Sequence, residues 1–456
     1  MKIPERPPTL AEALKMGDGG DRELKRLVGV LAMGVPPAPG GRYRHWQTLR
    51  YVAPPDGVSH REWWAAMKVA RNSGRRRIPL RDAHGAPFSF CMPDPVLELL
   101  QGIDRDASGQ VLMEDRVVNP STRDRYVFSS AMEEAITSSQ LEGAATTREV
   151  AREMIRSGRR PFDRSERMIL NNFQAMRAVS EIRGEPLTPE IVFRLHRTIV
   201  DELLTEGADR HFLRTPGDRV AVYDDRDNTL LHTPPRAEEI HARMQSMCDF
   251  ANASEHGYYL HPAVKAIILH FWLAYDHPFT DGNGRTARSL FYWSMLRDGY
   301  WLVEFFSISR IFGSAPSRYA RAFLYTETDE NDLTYFILFH LGVIRRAIDE
   351  MREYLASKSL EIREIESLLR QRVVLTHRQL ALLGHALRHP GHPYTIESHQ
   401  RSHEVSYQTA RTDLLDLAKR GLLEKGRAGR AFVFTAPSDL RDRLVKTRPS
   451  RTASTR

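Results

Sequence analysis

Apolar residues recur at helical spacing through most of the chain after about residue 125. Thr188-Pro189-Glu190 reads as a helix start, with Thr capping and Pro at the first helical position, and Ile191, Leu195 and Ile199 follow on one face. From His261, a broad apolar stripe of Val264, Ile267, Ile268, Phe271 and Trp272 predicts a buried helix. An earlier helix is expected to begin near Ser130 and stop at Gly143, and a long one to run from Asp332-Leu333-Thr334 through Phe336, Phe339, Ile344, Ile348, Met351 and Leu355. The period breaks between Arg214 and Pro235, where Val220, Val222, Leu230 and Leu231 flank Asp224-Asp225-Arg226-Asp227-Asn228, a hairpin pattern. Residues 1–115 are irregular, interrupted by Pro36-Pro37-Ala38-Pro39-Gly40-Gly41 and Pro54-Pro55, with Tyr43, Trp46, Trp63 and Trp64 expected to fill a small core.

The 456 residues exceed one compact core and predict several domains. Hydrophobic residues at 41% and charged residues at 27% exclude a disordered or fibrous chain. A formal charge of +8 favours polyanionic partners. Two cysteines, Cys91 and Cys248, lie too far apart in sequence to suggest a zinc-thiolate site or a disulfide framework. No apolar run approaches a membrane span, and Met1-Lys2-Ile3-Pro4-Glu5-Arg6 lacks the apolar core of a signal peptide, so the expected setting is cytoplasmic, without membrane contact.

The chemistry concentrates in His277-Pro278-Phe279-Thr280-Asp281-Gly282-Asn283-Gly284-Arg285-Thr286-Ala287-Arg288, between one apolar helix and a second expected over Ser289 to Leu296. A Gly-Asn-Gly turn entering a helix N-terminus aims backbone N–H groups and the positive dipole end at one point, suited to phosphate oxygens. Asp281 repels bare phosphate but can hold a Mg²⁺ that bridges phosphates. Arg285 and Arg288, three apart, can clasp further oxygens. His277 alone in the stretch has an ordinary pKa near neutrality and can take a proton from a hydroxyl. The chain has no G-x-x-x-x-G-K-[ST] loop and no kinase signature set, which argues against conventional γ-phosphate transfer. Singly, each residue would read as a polar turn ending a helix; the combination is what carries the chemistry.

The stretch resembles the Fic-family signature H-P-F-x-[DE]-G-N-G-R-x-x-R and matches every specified position. The resemblance spans roughly residues 125–355. It implies that His277 is the general base, that Asp281 binds Mg²⁺, and that Gly282, Asn283, Gly284, Arg285 and Arg288 bind the phosphates of ATP. The implied enzyme is a nucleotidyltransferase, a protein adenylyltransferase that moves AMP from ATP to a Ser, Thr or Tyr hydroxyl of a target protein or of itself. The hairpin resembles the family's target-aligning flap. Tyr319 sits where related proteins place residues near the adenine, and a core tyrosine is an equal reading. Upstream, Ser138, Glu142 and Gly143 match the family's inhibitory motif [ST]-x-x-x-E-[GN], which implies that Glu142 pairs with Arg288 and autoinhibits the enzyme. An alternative role for Glu142 is to position water for removal of AMP.

The C-terminal residues suggest a winged helix-turn-helix: helices over Leu375–Leu387 and Val405–Leu417, then Leu422, Leu423, a basic turn Gly426-Arg427-Ala428-Gly429-Arg430, and the strand-like Ala431-Phe432-Val433-Phe434. On that reading Tyr407, Gln408, Arg411, Arg427 and Arg430 contact DNA; the competing reading is a protein-contact or homodimerisation module. The expected fold class is mainly α, a Fic-type helical domain with a β-hairpin flap plus a small α+β winged-helix domain. The expected order is an N-terminal region of unassigned role (1–115), an inhibitory helix segment (116–165), the catalytic domain (166–355), a helical linker (356–374), the winged helix (375–440) and a basic tail (441–456). The competing function is a DNA-binding transcriptional regulator whose Fic domain senses nucleotide.

Overall fold

Two short helical turns, Leu10–Leu14 and Trp46–Leu49, lead into α1 (His60–Ser73), which starts with a reciprocal cap between Ser59 and Glu62. Trp46, Trp63 and Trp64 pack with Leu49 and Met67 and fill a core, whereas Tyr43 packs on Arg71 and bonds Asp332 instead. A hairpin of β1 (Arg76–Arg81) and β2 (Pro87–Phe90) and the helix α2 (Asp94–Ala107) follow, more regular structure than the interrupted sequence predicts. The computed structural model describes residues 2–14, 25, 28–29, 32–107, 120–203, 213–218, 220–224, 226–372, 375–388, 391–428 and 431–446.

Four helices come next: α3 (Pro120–Leu141), α4 (Arg148–Ser157), α5 (Arg164–Glu181) and α6 (Pro189–Val200). Thr147, Asp163 and Thr188 each accept a backbone N–H at the start of α4, α5 and α6 respectively, satisfying donors that a helix leaves open. The expected hairpin is present as β3 (Val222–Tyr223) paired antiparallel with β4 (Leu230–His232); its Asp225 lies outside the described residues. After α7 (Ile240–Asn252) come the two central helices, α8 (Pro262–Asp276) and α9 (Asn283–Arg297). Both are buried on nearly every side, as helices in the middle of a bundle must be.

Around this pair lie α10 (Ile308–Ser314), α11 (Pro316–Thr328) and the first part of α12 (Thr334–Arg372). The N-terminal elements dock there through buried charge. Lys68 Nζ lies 2.8 Å from Asp329 Oδ1, Arg71 donates to the Tyr335 hydroxyl at 2.9 Å, and Ser89 of β2 exchanges backbone bonds with Asn331 and Leu333. These pairs draw residues 1–351 into one compact unit.

The second unit, Arg352–Arg456, contains α13 (His377–Arg388), α14 (Ile396–His403), α15 (Tyr407–Lys419), the antiparallel hairpin β5 (Glu424–Ala428) and β6 (Ala431–Thr435), and α16 (Leu440–Lys446). Leu383, Leu414, Leu417, Phe434 and Leu444 form its core. Tyr394 adds two backbone hydrogen bonds to Phe434, extending the hairpin by one rung. The whole chain is mainly helical, with three two-stranded sheets among the described residues.

Candidate active site

Everything at the site follows from how the chain passes from α8 to α9. His277 ends α8 in the left-handed conformation, φ 46°, and Gly282 enters α9 with φ 82°. A Cβ on Gly282 would stand 3.0 Å from Val200 Cγ1, so only glycine fits both the dihedral and the space. Gly282→Ala should therefore lower stability by about 1–3 kcal/mol, measured by thermal or urea unfolding; an unchanged midpoint would show that the bend relaxes freely. Asn283 clamps the turn: its Oδ1 accepts from Phe279 N at 2.9 Å and its Nδ2 donates to Phe279 O at 2.8 Å. That carboxamide is thereby committed to the loop, leaving the backbone N–H of Asn283 as its group for an anion.

The bend is held from outside as well. Buried Arg214 donates from Nε to His277 O at 2.8 Å and to the carbonyls of Pro235 and Asp276, tying the base of the hairpin to the turn. His196 Nε2 meets the Asp281 carbonyl at 2.8 Å, and its ring stacks on Phe279 at 3.6 Å.

His277 Nδ1 is 3.3 Å from the Ala274 carbonyl, which can only accept, so the proton sits on Nδ1 and Nε2 carries the free lone pair. Burial holds the His277 pKa down at about 4, with nearby His232 and Arg214 adding to the effect and the Ala274 carbonyl and Glu142 opposing it. The pKa of His232 is shifted the other way. Burial opposes its charge, yet Glu327 and the Tyr275 carbonyl prevail and raise its pKa. Both of its nitrogens face acceptors, Glu327 Oε2 and Tyr275 O, each at 2.7 Å, which requires both to donate.

The two arginines at the start of α9 differ in their partners. Arg285 is fully buried, donating to Ile199 O at 3.3 Å and Asp281 Oδ1 at 3.1 Å, while its Nε has no hydrogen-bond partner. Burial, foremost, depresses its pKa. Arg288 donates from Nε to Ser138 Oγ at 2.7 Å and from Nη2 to Ser138 O at 3.0 Å and Glu142 Oε1 at 2.8 Å. Burial alone would lower the Arg288 pKa; Glu142 outweighs it and the pKa is raised.

Glu142 also covers the start of α9. A Cβ on Gly284 would meet its Oε1 at 2.1 Å, and Gly282 provides no side-chain cap, so this carboxylate lies where the helix N-terminus most favours negative charge. Its own helix is fixed by Glu134, buried, which accepts from Tyr292 Oη at 2.9 Å, Ser307 Oγ at 2.7 Å and Ser309 N at 3.1 Å. Gly143 follows with φ 92°, turning the chain out of the helix.

A pocket of about 200 Å³ opens between these groups, lined by Glu142, His277, Gly284 and Arg288 on one side and by Leu231, Tyr319 and Phe323 on another. Tyr319 Oη bonds His270 Nε2 at 2.8 Å. Asp281 is one-third exposed, its Oδ2 3.2 Å from Arg164 Nη2. No cluster of three His, Cys, Asp or Glu side chains able to hold a metal occurs among the described residues. One partly exposed carboxylate fits an ion that arrives on phosphates and keeps water for its other ligands.

In the second unit, Tyr407, Gln408, Arg411 and Arg427 are exposed, whereas Arg430 lies outside the described residues. Arg164, Arg214, His196 and the His232–Glu327 pair are site residues that the sequence does not single out. Their partners are remote in the chain, 95 residues apart for His232 and Glu327, and no local spacing signals them.

A Fic/DOC family model matches residues 186–295. The protein adenylyltransferase Fic of Nematostella vectensis is 30% identical over 178 residues, which cover 39% of this chain and 36% of that protein. The protein of the same name from Drosophila willistoni is 42% identical over 69 residues, covering 15% of this chain and 14% of that one. The chain thus matches about a third or less of the length of these curated relatives. A solved structure of a Fic family protein from Desulfovibrio desulfuricans G20 aligns with TM-score 0.52 at 19% identity over 76% of this chain and 97% of that one, a likeness of fold. Residues 186–295 are a domain of the Fic/DOC family.

Proposed function

We propose that the chain is a protein adenylyltransferase that transfers AMP from ATP to a hydroxyl side chain of a target protein or of itself, restrained at rest by Glu142. The observation that carries this reading is the convergence on one pocket of an uncapped helix N-terminus, buried Arg288 and an imidazole with a free Nε2. The names of the curated relatives support it.

On this reading the β- and γ-phosphates lie over the backbone N–H groups of Gly282 to Gly284, with Arg285 and Arg288 as charge partners. Asp281 would hold the Mg²⁺ that accompanies the nucleotide, which would neutralise phosphate charge. The target hydroxyl gives its proton to His277 Nε2 as its oxygen bonds the α-phosphorus. The bond from that phosphorus to the bridging oxygen breaks in line, and pyrophosphate leaves with the electron pair. The acceleration then comes chiefly from positioning and charge stabilisation. The pocket lined by Leu231 and Val222 places β3 and β4 beside His277, where a target segment can align by strand addition.

The depressed His277 pKa has a consequence for pH. The base works when neutral, so kcat/KM of the free enzyme should stay level from neutral pH down to about 5 and fall only toward 4. An acid limb near the ordinary histidine value, 6.5, would contradict this environment. Mass spectrometry of lysate proteins incubated with the Glu142→Gly enzyme and each nucleotide in turn tests the reaction. Adenylyl groups on hydroxyl side chains support it; modification by another nucleotide alone, or none, refutes it.

The second unit supports a separate reading as a winged helix that contacts DNA. The exposed Tyr407, Gln408 and Arg411 occupy the first turns of α15, and Arg427 lies on the β5–β6 hairpin. A salt-sensitive shift of duplex DNA, lost in Arg411→Ala with Arg427→Ala, tests it; a shift indifferent to both would refute it.

A further inference from the structure

A second cavity, of about 540 Å³, opens beside α3 on a face next to the one that meets Arg288. Ser138 and Glu142 face Arg288, whereas Thr137, Gln140 and Leu141 of the same last turns form a wall of the cavity. Three guanidinium groups from three different helices line it: Arg148 of α4, Arg310 of α10 and Arg346 of α12. One carboxylate stands among them, Glu350, which pairs with both Arg310 and Arg346. Arg148 reaches Glu133 at 3.2 Å, and that carboxylate also serves Arg152. The lining therefore carries more positive than negative charge. At Pro316 the cavity meets the start of α11, whose N-cap residue, Ala315, has no side-chain acceptor to offer.

We propose that this cavity is a regulatory site for a small phosphorylated metabolite. Guanidinium groups arriving from separate elements suit the several oxygens of a phosphate, to which each can present two donors. The volume lies within the range of small-molecule sites. Glu350 adds an acceptor for a hydroxyl or amino group on the same ligand. A phosphate ester carrying such a donor engages both the guanidinium groups and Glu350, and inorganic phosphate engages the guanidinium groups alone.

The coupling rests on the reading that Glu142 restrains the enzyme. A ligand that fits the cavity as formed here binds the arrangement in which the last turns of α3 are seated and Glu142 is held on Arg288. By linkage it stabilises that arrangement and deepens the restraint, and nucleotide in the reactive pose weakens the ligand in return. The fold thereby makes α3 an element read from two faces, one toward the nucleotide and one toward a metabolite.

The test uses the full chain and inorganic phosphate as probe, titrated by calorimetry. Two variants address the cavity alone: Arg310→Gln with Arg346→Gln, and Gly313→Glu. A Cβ on Gly313 meets no heavy atom within 4 Å, so the added carboxylate can enter the cavity without disturbing the fold. Binding should be present in the native chain and weakened by about tenfold or more in both variants, with unfolding midpoints unchanged. Phosphate should also lower automodification by the native chain, and that effect should disappear in Gly313→Glu. No binding at millimolar phosphate, or binding indifferent to both variants, overturns the site. Binding at the site with no effect on automodification overturns the coupling if Glu142→Gly still raises activity. If Glu142→Gly leaves activity unchanged, the restraint reading fails and the site stands on its titration.

Discussion

The Glu142→Gly enzyme should automodify about ten- to a hundredfold faster than the native chain when given ATP and Mg²⁺. The change removes the acceptor that holds Arg288 Nη2 at 2.8 Å and uncovers the α9 N-terminus. A hydrogen bond between charged groups contributes roughly 1.5–3 kcal/mol. Each factor of ten in an equilibrium corresponds to about 1.4 kcal/mol, so releasing this bond shifts access to the reactive pose by about one to two orders of magnitude. Stability should move the other way. Arg288 stays buried and keeps Ser138 Oγ and Ser138 O as acceptors, so the variant folds but unfolds at a lower temperature. Higher activity with lower stability is the signature of a restraint; unchanged labelling would reduce Glu142 to a structural partner of Arg288.

Loss of the His277 imidazole should have the largest effect of any single change. General-base catalysis typically contributes a factor of about 10²–10⁴, and the Glu142→Gly background makes a fall of that size measurable. The replacement matters because His277 has φ 46°, where asparagine is better tolerated than alanine. His277→Asn should therefore keep the bend, leave nucleotide affinity within about twofold, and still lose transfer by about 10²-fold or more. A KM change with kcat intact would reassign His277 to binding.

Much of the bend from His277 to Arg288 was legible because its parts are contiguous. The stripe from Val264 to Trp272 marks α8 as buried, and the twelve-residue signature fixes which groups surround the turn. The exact start of α9 was not legible. The helix was expected from Ser289 but begins at Asn283, because Gly282 takes the left-handed turn and Asn283, Gly284 and Arg285 are already helical. Those positions are polar or without a side chain, so a search for apolar periodicity passes over them. The same blindness shortened α3, expected near Ser130 and starting at Pro120.

What escaped the sequence entirely is pairing between distant charges. Lys68 with Asp329, His232 with Glu327 and Arg164 with Asp281 are each polar residues that would individually pass as surface. Where such a pair is buried, as Lys68 and Asp329 are, that burial is a tertiary fact. Such pairing determines how the N-terminal elements dock and, through His232, adds to the burial that holds the His277 pKa down, neither of which has a local spacing.

On the proposed reading, the bend from His277 to Arg288 presents the α-phosphorus of ATP to a hydroxyl. Incubating the Glu142→Gly enzyme in parallel with ATP labelled at the α-phosphorus and at the γ-phosphorus tests it most directly. α-Label should appear on protein and γ-label in released pyrophosphate; γ-label on protein, or label on neither the chain nor any target, would refute that geometry.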